Sequence, residues 1–373
     1  MDAAQARKAA EDLIWIADQA DRSKWLVGRQ GGLGGSDMSA ICNENPFKNA
    51  IEVYDSIVRP EWAETRRDNT DRLWMGQYLE PRILGDLYIK GGEFWPRPGG
   101  PVTVWRPPLV CRKGREWQRG SADGLEIPTV DELYIPDCNA FLQFTPPGIH
   151  DWWARVVEVK THGYHGSMVY SREPDADEPV PPSMVIQASW YGDLWSIKHA
   201  SLAALMDTHV RRNWTWTINQ DFVADLLTIG EDFWAKHILK GIEPSPDGSE
   251  GWNRHLRRKY KTSIGGSVVK ASPALDEIVR DLKSAWLASK DADRRLEALS
   301  QTVKDAMGEH ERTETHLGPI SWATRAGKLS WRKAIDVLYQ ALGWNAVERE
   351  RHEAAHLGEA SRTFTVPHAR WKK

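Results

Sequence analysis

The order of apolar and polar positions divides the 373-residue chain into a helical start, a strand-rich middle and a helical end. Residues 1–27 mix apolar side chains with Arg7, Lys8, Glu11, Asp12 and Asp18, the pattern of an amphipathic helix rather than a signal peptide. Residues 29–37 read RQGGLGGSD, a glycine-rich turn in which Ser36 or Asp37 is placed to cap a short helix ending near Asn45 and Pro46. Helices are expected over 50–58 and from Asn69, where Leu73, Tyr78, Leu79, Ile83, Leu87 and Tyr88 recur at helical spacing. Pro81 should kink or restart that run. From Gly91 the period shortens, and strands are expected over 102–106, 109–112, 133–135, 141–144 and 155–160. The acidic, proline-rich stretch 171–182 predicts a loop, followed by a helix over 183–197, strands over 200–206 and 214–218, and a helix over 221–239.

Beyond this point the pattern loosens. Residues 241–251 hold Pro244, Pro246 and several acids and read as a linker. Residues 252–270 carry six Lys and Arg and no acid. Ser272 and Pro273 open a long amphipathic helix with Leu275, Ile278, Leu282, Trp286, Leu296 and Leu299 on its apolar side. A strand over 320–324, a helix over 331–342 and a strand over 363–366 complete the chain. Three parts follow: a core over 1–240, a linker and basic segment over 241–270, and a C-terminal helical region with short strands over 271–373. Helix, then sheet, then helix predicts an α/β fold with helical additions.

Composition narrows the function. Forty-nine Lys and Arg stand against 52 Asp and Glu, a net charge of −3. That balance excludes a histone-like coat, but it suits a nucleic-acid enzyme, which needs carboxylates as well as cations. The three Cys (Cys42, Cys111 and Cys138) form no C-x-x-C pair, which argues against a disulfide scaffold, a zinc ribbon or a four-Cys iron–sulfur cluster. No apolar run approaches the ~18 residues of a membrane span. A reducing cytoplasm is the expected compartment. The twenty Trp read mainly as core filling, with Trp152, Trp153, Trp214 and Trp216 as candidates for stacking on bases or lining a subunit contact.

Three segments put polar groups where a core prefers apolar ones. They are Ser121-Ala122-Asp123-Gly124, the strand Val156-Val157-Glu158-Val159-Lys160, and Gln187 on a helix with Met184, Ile186 and Trp190. Glu158 and Lys160 share one strand face, and Val157 and Val159 point the other way into the core. An acid and a lysine buried together are costly without a purpose. Asp123 and Glu158 would give hard carboxylate oxygens to Mg²⁺, with Mn²⁺ as substitute, and the Val159 carbonyl a further oxygen. Lys160 would hold or deprotonate an attacking water and stabilise charge growing on a phosphate. Glu80, on the helix carrying GQYLEP, can reach the same place.

This D…E-x-K arrangement is the pattern of the PD-(D/E)XK nucleases. Around it stand Arg29 with Ser36-Asp37, Gly76 to Pro81, Ser121 to Gly124, Glu158 to Thr161, and a helix with Pro182 and Gln187. In that order they resemble the YqaJ viral recombinase and phage lambda exonuclease family, over about residues 23–240. The resemblance implies a restriction-endonuclease-like core, a central mixed sheet flanked by helices. It implies that Glu80, Asp123 and Glu158 hold divalent metal, that Lys160 is catalytic and that Gln187 supports the site. It also implies that Arg29, Ser36 and Ser121 receive a terminal 5′-phosphate. Such enzymes resect linear duplex DNA from 5′ ends for recombination, as trimers in the lambda type, beside a single-strand annealing protein. Only Glu116 is acidic in 112–119, where some relatives carry an additional acid.

The glycine turn itself suits an anion, because glycines let backbone N–H groups approach it. In the basic run, Arg254, Arg257, Arg258, Lys259 and Lys261 are candidates for DNA-backbone contact, since unopposed like charges repel unless an anion partner exists. His162 and His165 read as solvated loop residues. Two other functions fit the same residues: a structure- or sequence-selective endonuclease, and a non-catalytic DNA-binding assembly module.

Overall fold

The computed structural model describes residues 11–62, 70–84, 103–127, 132–135, 140–143, 155–162, 180–206, 210–324 and 331–355. The chain forms two compact units, Met1–Lys259 and Tyr260–Lys373.

Among the described residues the first element is a strand, β1 (Leu13–Ala17), within the stretch 1–27 expected to be helical, of which 22–27 are helical. Its sequence LIWIA is rich in β-branched and aromatic side chains, which fit a pleated surface better than a helix. It pairs antiparallel with β3, Leu13 opposite Arg112 and Ile14 opposite Cys111. Helix α1 (Arg22–Gln30) follows, with Asp21 at its N-cap accepting from the Lys24 N–H at 3.2 Å. Helix α2 (Gly35–Ile41) begins at the glycine turn. Its N-cap is Gly34, not Ser36 or Asp37; Asp37 instead reaches back from the first turn to the Gly34 N–H at 2.9 Å. Helix α3 (Ala50–Val58) is closed by a reciprocal capping box between Asn49 and Glu52. Helix α4 (Thr70–Arg82) carries Pro81 one residue before its end, and a π-helical conformation follows at 83–84.

Three strands, β2 (Thr103–Trp105), β3 (Leu109–Arg112) and β4 (Arg115–Gly120), lead to β5 (Gly124–Ile127). A hairpin of β6 (Glu132–Ile135) and β7 (Ala140–Gln143) precedes β8 (Arg155–His162). Helix α5 (Pro182–Leu194), strands β9 (His199–Met206) and β10 (Val210–Thr217), and helix α6 (Gln220–Phe233) follow. A π-helical turn, Trp234–Leu239, extends α6. The main sheet runs β10-β9-β8-β5-β2, with β8 and β9 parallel and the other neighbours antiparallel; a smaller antiparallel sheet runs β1-β3-β4. The unit is therefore α/β with mixed sheets.

Strand β8 lies at the middle of the main sheet, between β5 and β9, so both of its edges are paired. Val157 and Val159 pack with Ile83, Leu84 and Leu79 of the α4 region and with Ala203 and Leu205. On the opposite face Val156 joins a larger core with Ile186, Trp190, Leu33 and Met38. Glu158 and Lys160 share this second face by strand alternation.

The expected linker and basic segment are divided. Residues 250–259 form helix α7 (Glu250–Lys259), which packs on α3 within the first unit. Trp252 is buried and donates its Nε1–H to the Ser245 carbonyl at 3.0 Å; His255 is buried with Nδ1 2.8 Å from Asp55. The second unit contains α8 (Pro273–Met307), a hairpin of β11 (Arg312–Thr315) and β12 (Gly318–Ser321), and helices α9 (Trp331–Ala341) and α10 (Ala346–Ala355). Trp152, Trp153, His165, the loop over 171–179 and the strand expected over 363–366 lie outside the described residues. Among the described residues no helix is long and apolar enough to cross a membrane.

Glycine is required where α2 meets α5. A Cβ on Gly35 would lie 2.9 Å from Gln187 Cγ and 3.0 Å from the Gln187 carbonyl oxygen, closer than packed carbon tolerates. Gly35→Ala should cost about 1–3 kcal/mol in denaturant unfolding. An unchanged midpoint would contradict this contact.

Candidate active site

A cleft of about 470 Å³ gathers residues from six segments of the first unit. Arg29 and Ser36, Glu80, Ser121 and Asp123, and Gln187 all line it. These are six of the positions singled out from sequence. Glu158 lies buried beneath, with Lys160 beside it.

Asp123 is placed by the start of β5. Gly124 is the first residue of that strand, opposite Val157. Two residues further along β8, the Val159 N–H lies beyond the start of β5, and the Asp123 carboxylate accepts it at 2.8 Å. The side chain thus ends the ladder as a carbonyl would. Glu158 is 0 % exposed. Lys160 Nζ lies 3.0 Å from Glu158 Oε2 and 3.8 Å from Asp123 Oδ2. Glu158 Oε1 is buried with no hydrogen-bond partner. Glu80, on α4, is engaged by Arg106.

The electrostatics are those of crowded negative charge. Burial raises the pKa of Glu158, and the Asp123 carboxylate raises it further; Lys160 opposes both without cancelling them. Glu80 moves the same way, from burial first and Asp123 second, against Arg106 and Lys160. For Lys160, burial disfavours the charge, but Glu158 and Asp123 overcome it and hold the ammonium protonated. Three carboxyl groups face one ammonium and one guanidinium, so more oxygen donors are present than cations to meet them, including the orphaned Oε1. Hard oxygen donors in excess fit a divalent cation such as Mg²⁺. Among the described residues no three acid, His or Cys side chains already converge as a metal cage, and Glu80 is held by Arg106.

The other wall is cationic. Arg22, Trp25 and Arg29 stand at i, i+3 and i+7, one face of α1. The Arg22 guanidinium sits 4.4 Å and that of Arg29 5.3 Å from the centre of the Trp25 ring. Burial and the neighbouring Arg29 both lower the pKa of Arg22. Arg29 Nη2 donates to Ser36 Oγ at 2.5 Å. Arg106 and Arg119 complete the wall, Arg119 anchored on the Gly28 carbonyl. Sequence reading missed Arg22, Trp25, Arg106, Arg119 and Tyr191. The heptad-like spacing of the α1 trio was a usable signal; Arg106 and Arg119 sit on strands and loops with no local pattern.

Two amides of the glycine turn are already engaged within the fold. The Leu33 N–H bonds the Trp117 carbonyl at 2.7 Å and that of Gly34 is taken by Asp37. A Cβ on Gly31 would lie 2.5 Å from the Arg119 guanidinium. The glycines there let an arginine pass; these two amides do not point at a ligand. Trp190 fixes the turn by donating to the Leu33 and Arg119 carbonyls at 3.1 and 3.0 Å.

The basic run is largely matched by acids of the same unit. Arg254 meets Glu52 at 2.6 Å, Lys259 meets Glu243 at 2.6 Å, and Arg257 pairs with Glu250. Arg258 lies in the last turn of the same helix, and Lys261 lies near the start of the second unit.

No family model matches the chain. The uncharacterized protein YqaJ of Bacillus subtilis (strain 168) is 20% identical over 315 residues, 84% of this chain and 85% of that protein. The chain is a distant homologue of YqaJ. Among solved structures, the alkaline exonuclease LHK-Exo of Laribacter hongkongensis is similar at 14% identity, covering 64% of this chain and 97% of its own, with a TM-score of 0.41. The same enzyme in complex with dAMP gives 14% identity, the same coverage and a TM-score of 0.40.

Asp37 ties the cationic wall to the fold. Its carboxyl is pushed up by burial, but Lys48 at 2.7 Å, Arg29 and the Gly34 N–H outweigh this and hold it at about 2, below its ordinary 3.8. A depressed folded-state pKa gives stability that is fully present above 3.8 and is lost as pH falls toward about 2. The stability difference between the wild type and Asp37→Asn should be largest above pH 4, should include about 2 kcal/mol from this linkage, and should shrink toward pH 2. Urea melts across that pH range measure it, and a flat difference would contradict the pairing.

Proposed function

We infer that this cleft hydrolyses phosphodiester bonds of DNA with a divalent cation, as an exonuclease acting at the 5′ ends of linear duplex. The observation that carries the reading is one cleft with opposed ends: crowded carboxylates at Glu80, Asp123 and Glu158, and guanidinium groups at Arg22 and Arg29 with the Ser36 hydroxyl. A DNA end presents a polyanion that suits the cationic wall, and a scissile phosphate that suits a cation held by carboxylates.

Asp123, Glu158 and Glu80 would hold Mg²⁺ or Mn²⁺, with the Val159 carbonyl as a further oxygen. Glu80 would exchange Arg106 for the ion. The ion would supply Lewis acidity to a phosphoryl oxygen and acidify a water. Lys160, kept charged by its two carboxylate neighbours, is positioned to hold that water and to stabilise negative charge growing on the phosphate. Gln187 supports the site from α5, against Gly35. Arg29, oriented by Ser36 and Asp37, would form a forked pair with a terminal phosphate, and Ser121 would add a hydroxyl donor. The family resemblance supports the 5′ polarity and a 3′ single strand as product, handed to a single-strand annealing protein; it also supports trimers.

Linear duplex labelled separately at each end, with 5′-phosphate or 5′-hydroxyl, tests the reading. Digestion from the 5′ end with Mg²⁺ is expected, and closed circles should stay intact. Lys160→Ala should reduce the rate by about 100-fold or more while DNA binding persists. No digestion by a folded sample with either Mg²⁺ or Mn²⁺ would sink the proposal. Arg29→Ala should slow phosphorylated ends far more than hydroxyl ends; equal loss on both would contradict its role.

A further inference from the structure

Helix α8 is 35 residues long, about 50 Å at 1.5 Å per residue. Ser272 caps its start, accepting from the Leu275 N–H at 3.3 Å, and Gly308, at φ 57°, closes its end. A helix of this length in water owes most of its stability to packing of its apolar side, not to propensity. Yet its large apolar side chains are exposed among the described residues: Leu275 45%, Ile278 62%, Leu296 67% and Leu299 57%.

These positions follow a rule. Leu275, Ile278 and Leu282, then Leu296 and Leu299, fall on spacings of three and four that alternate without a break. Ala285, Ser289 and Ala292 fill the intervening steps of the same series. A strict 3.5-residue repeat is the seam of a left-handed coiled coil, and it calls for another helix as partner. Written as a heptad, Leu275 takes position a and Ile278 position d.

The flanking charges select the partner. Asp281 and Arg295 occupy successive charged g positions. Neither has an ion-pair partner among the described residues, whereas their neighbours Lys290 and Asp293, and Asp291 and Arg294, are paired with one another. In a parallel pair, g faces e five residues on, so Asp281 would meet Trp286 and Arg295 would meet Ser300 of the other helix; no ion pair forms. In an antiparallel two-fold pair, g faces g. Asp281 then meets Arg295 of the second copy, and the symmetry makes the contact twice. The same alignment sets Leu275 against Leu299 and Ile278 against Leu296. Leu282 faces the small Ala292, and Ala285 and Ser289 let the helices approach at the centre.

We propose that α8 is an antiparallel coiled-coil interface between two copies of this chain. The seam and its charges complement themselves, which a partner of different sequence would not require. The proposal is independent of the nuclease reading, because it uses no residue of the cleft. Each α8 pair would join the clefts of two copies.

Mass measurement of the full chain by sedimentation or light scattering, over a concentration series at low salt, tests it. Leu282→Asp with Leu299→Asp should halve the particle mass. Unchanged mass would overturn the interface. Asp281→Arg and Arg295→Asp should each raise the dissociation constant by about fivefold or more, through two like-charge contacts, and the double reversal should restore it. No loss in the single variants, or no recovery in the double variant, would overturn the antiparallel register. Circular dichroism checks that each variant keeps its helix content, and recovery in the double variant excludes misfolding as the cause of the losses.

Discussion

Glu158 sits fully buried on the central strand of the main sheet, and the ammonium of Lys160 two residues along offsets part of its charge. An ionised carboxylate sealed in a protein interior is untenable alone, and removing one member of such a buried pair typically costs about 3–5 kcal/mol. The strand pays this cost for placement. β8 is held by β5 on one side and β9 on the other, with α4 over one face and α5 over the opposite one. A charged pair mounted there has almost no freedom to drift. Asp123 joins it because β5 begins two residues too late to satisfy Val159, so a carboxylate completes the sheet and enters the cleft in one act. The negative charge left over is therefore built into the ladder rather than added at a loop.

The opposite wall is held by less expensive means. Arg29 is steered by Ser36 and faces Asp37 at 4.0 Å, while Lys48 carries most of the pairing with that buried acid. This leaves the Arg29 fork oriented yet not consumed. Trp190 stitches the glycine turn to β4 by two carbonyl contacts, and Gly35 lets α2 lie against α5. The two walls thus share α5 as a common support, since Gln187 and Tyr191 face the cleft from it.

Much of this was legible in the sequence because it is local. The period-two strand with Glu158 and Lys160, the Asp-Gly step after Ser121 and the helix with Gln187 each announce themselves within a few residues, and the structure brings them to one cleft. What was not legible depends on partners far along the chain. The short apolar run 13–17 reads as helix beside charged flanks, but its pairing with β3, nearly a hundred residues later, makes it a strand. The basic run 252–259 looks unopposed because Glu52 and Glu243 meet it only after folding. Arg106 and Arg119 reach the cleft from segments with no periodic signal. Of the twenty Trp, a few now have work: Trp190 locks a turn, Trp25 lies beneath two guanidinium groups, and Trp62 and Trp252 flank the buried His255.

Helix α7 has a consequence for how the first unit comes into being. Asn49 meets Ser249, Glu52 meets Arg254, Asp55 meets His255 and Arg59 meets Glu243, all across about 200 residues of sequence. During synthesis the early helix α3 therefore waits, with one side open to solvent, until nearly the whole unit has been made. Contacts of such long range close slowly. The main sheet has the opportunity to assemble first, and the docking of α7 becomes a late seal on a unit whose beginning and end must both be present.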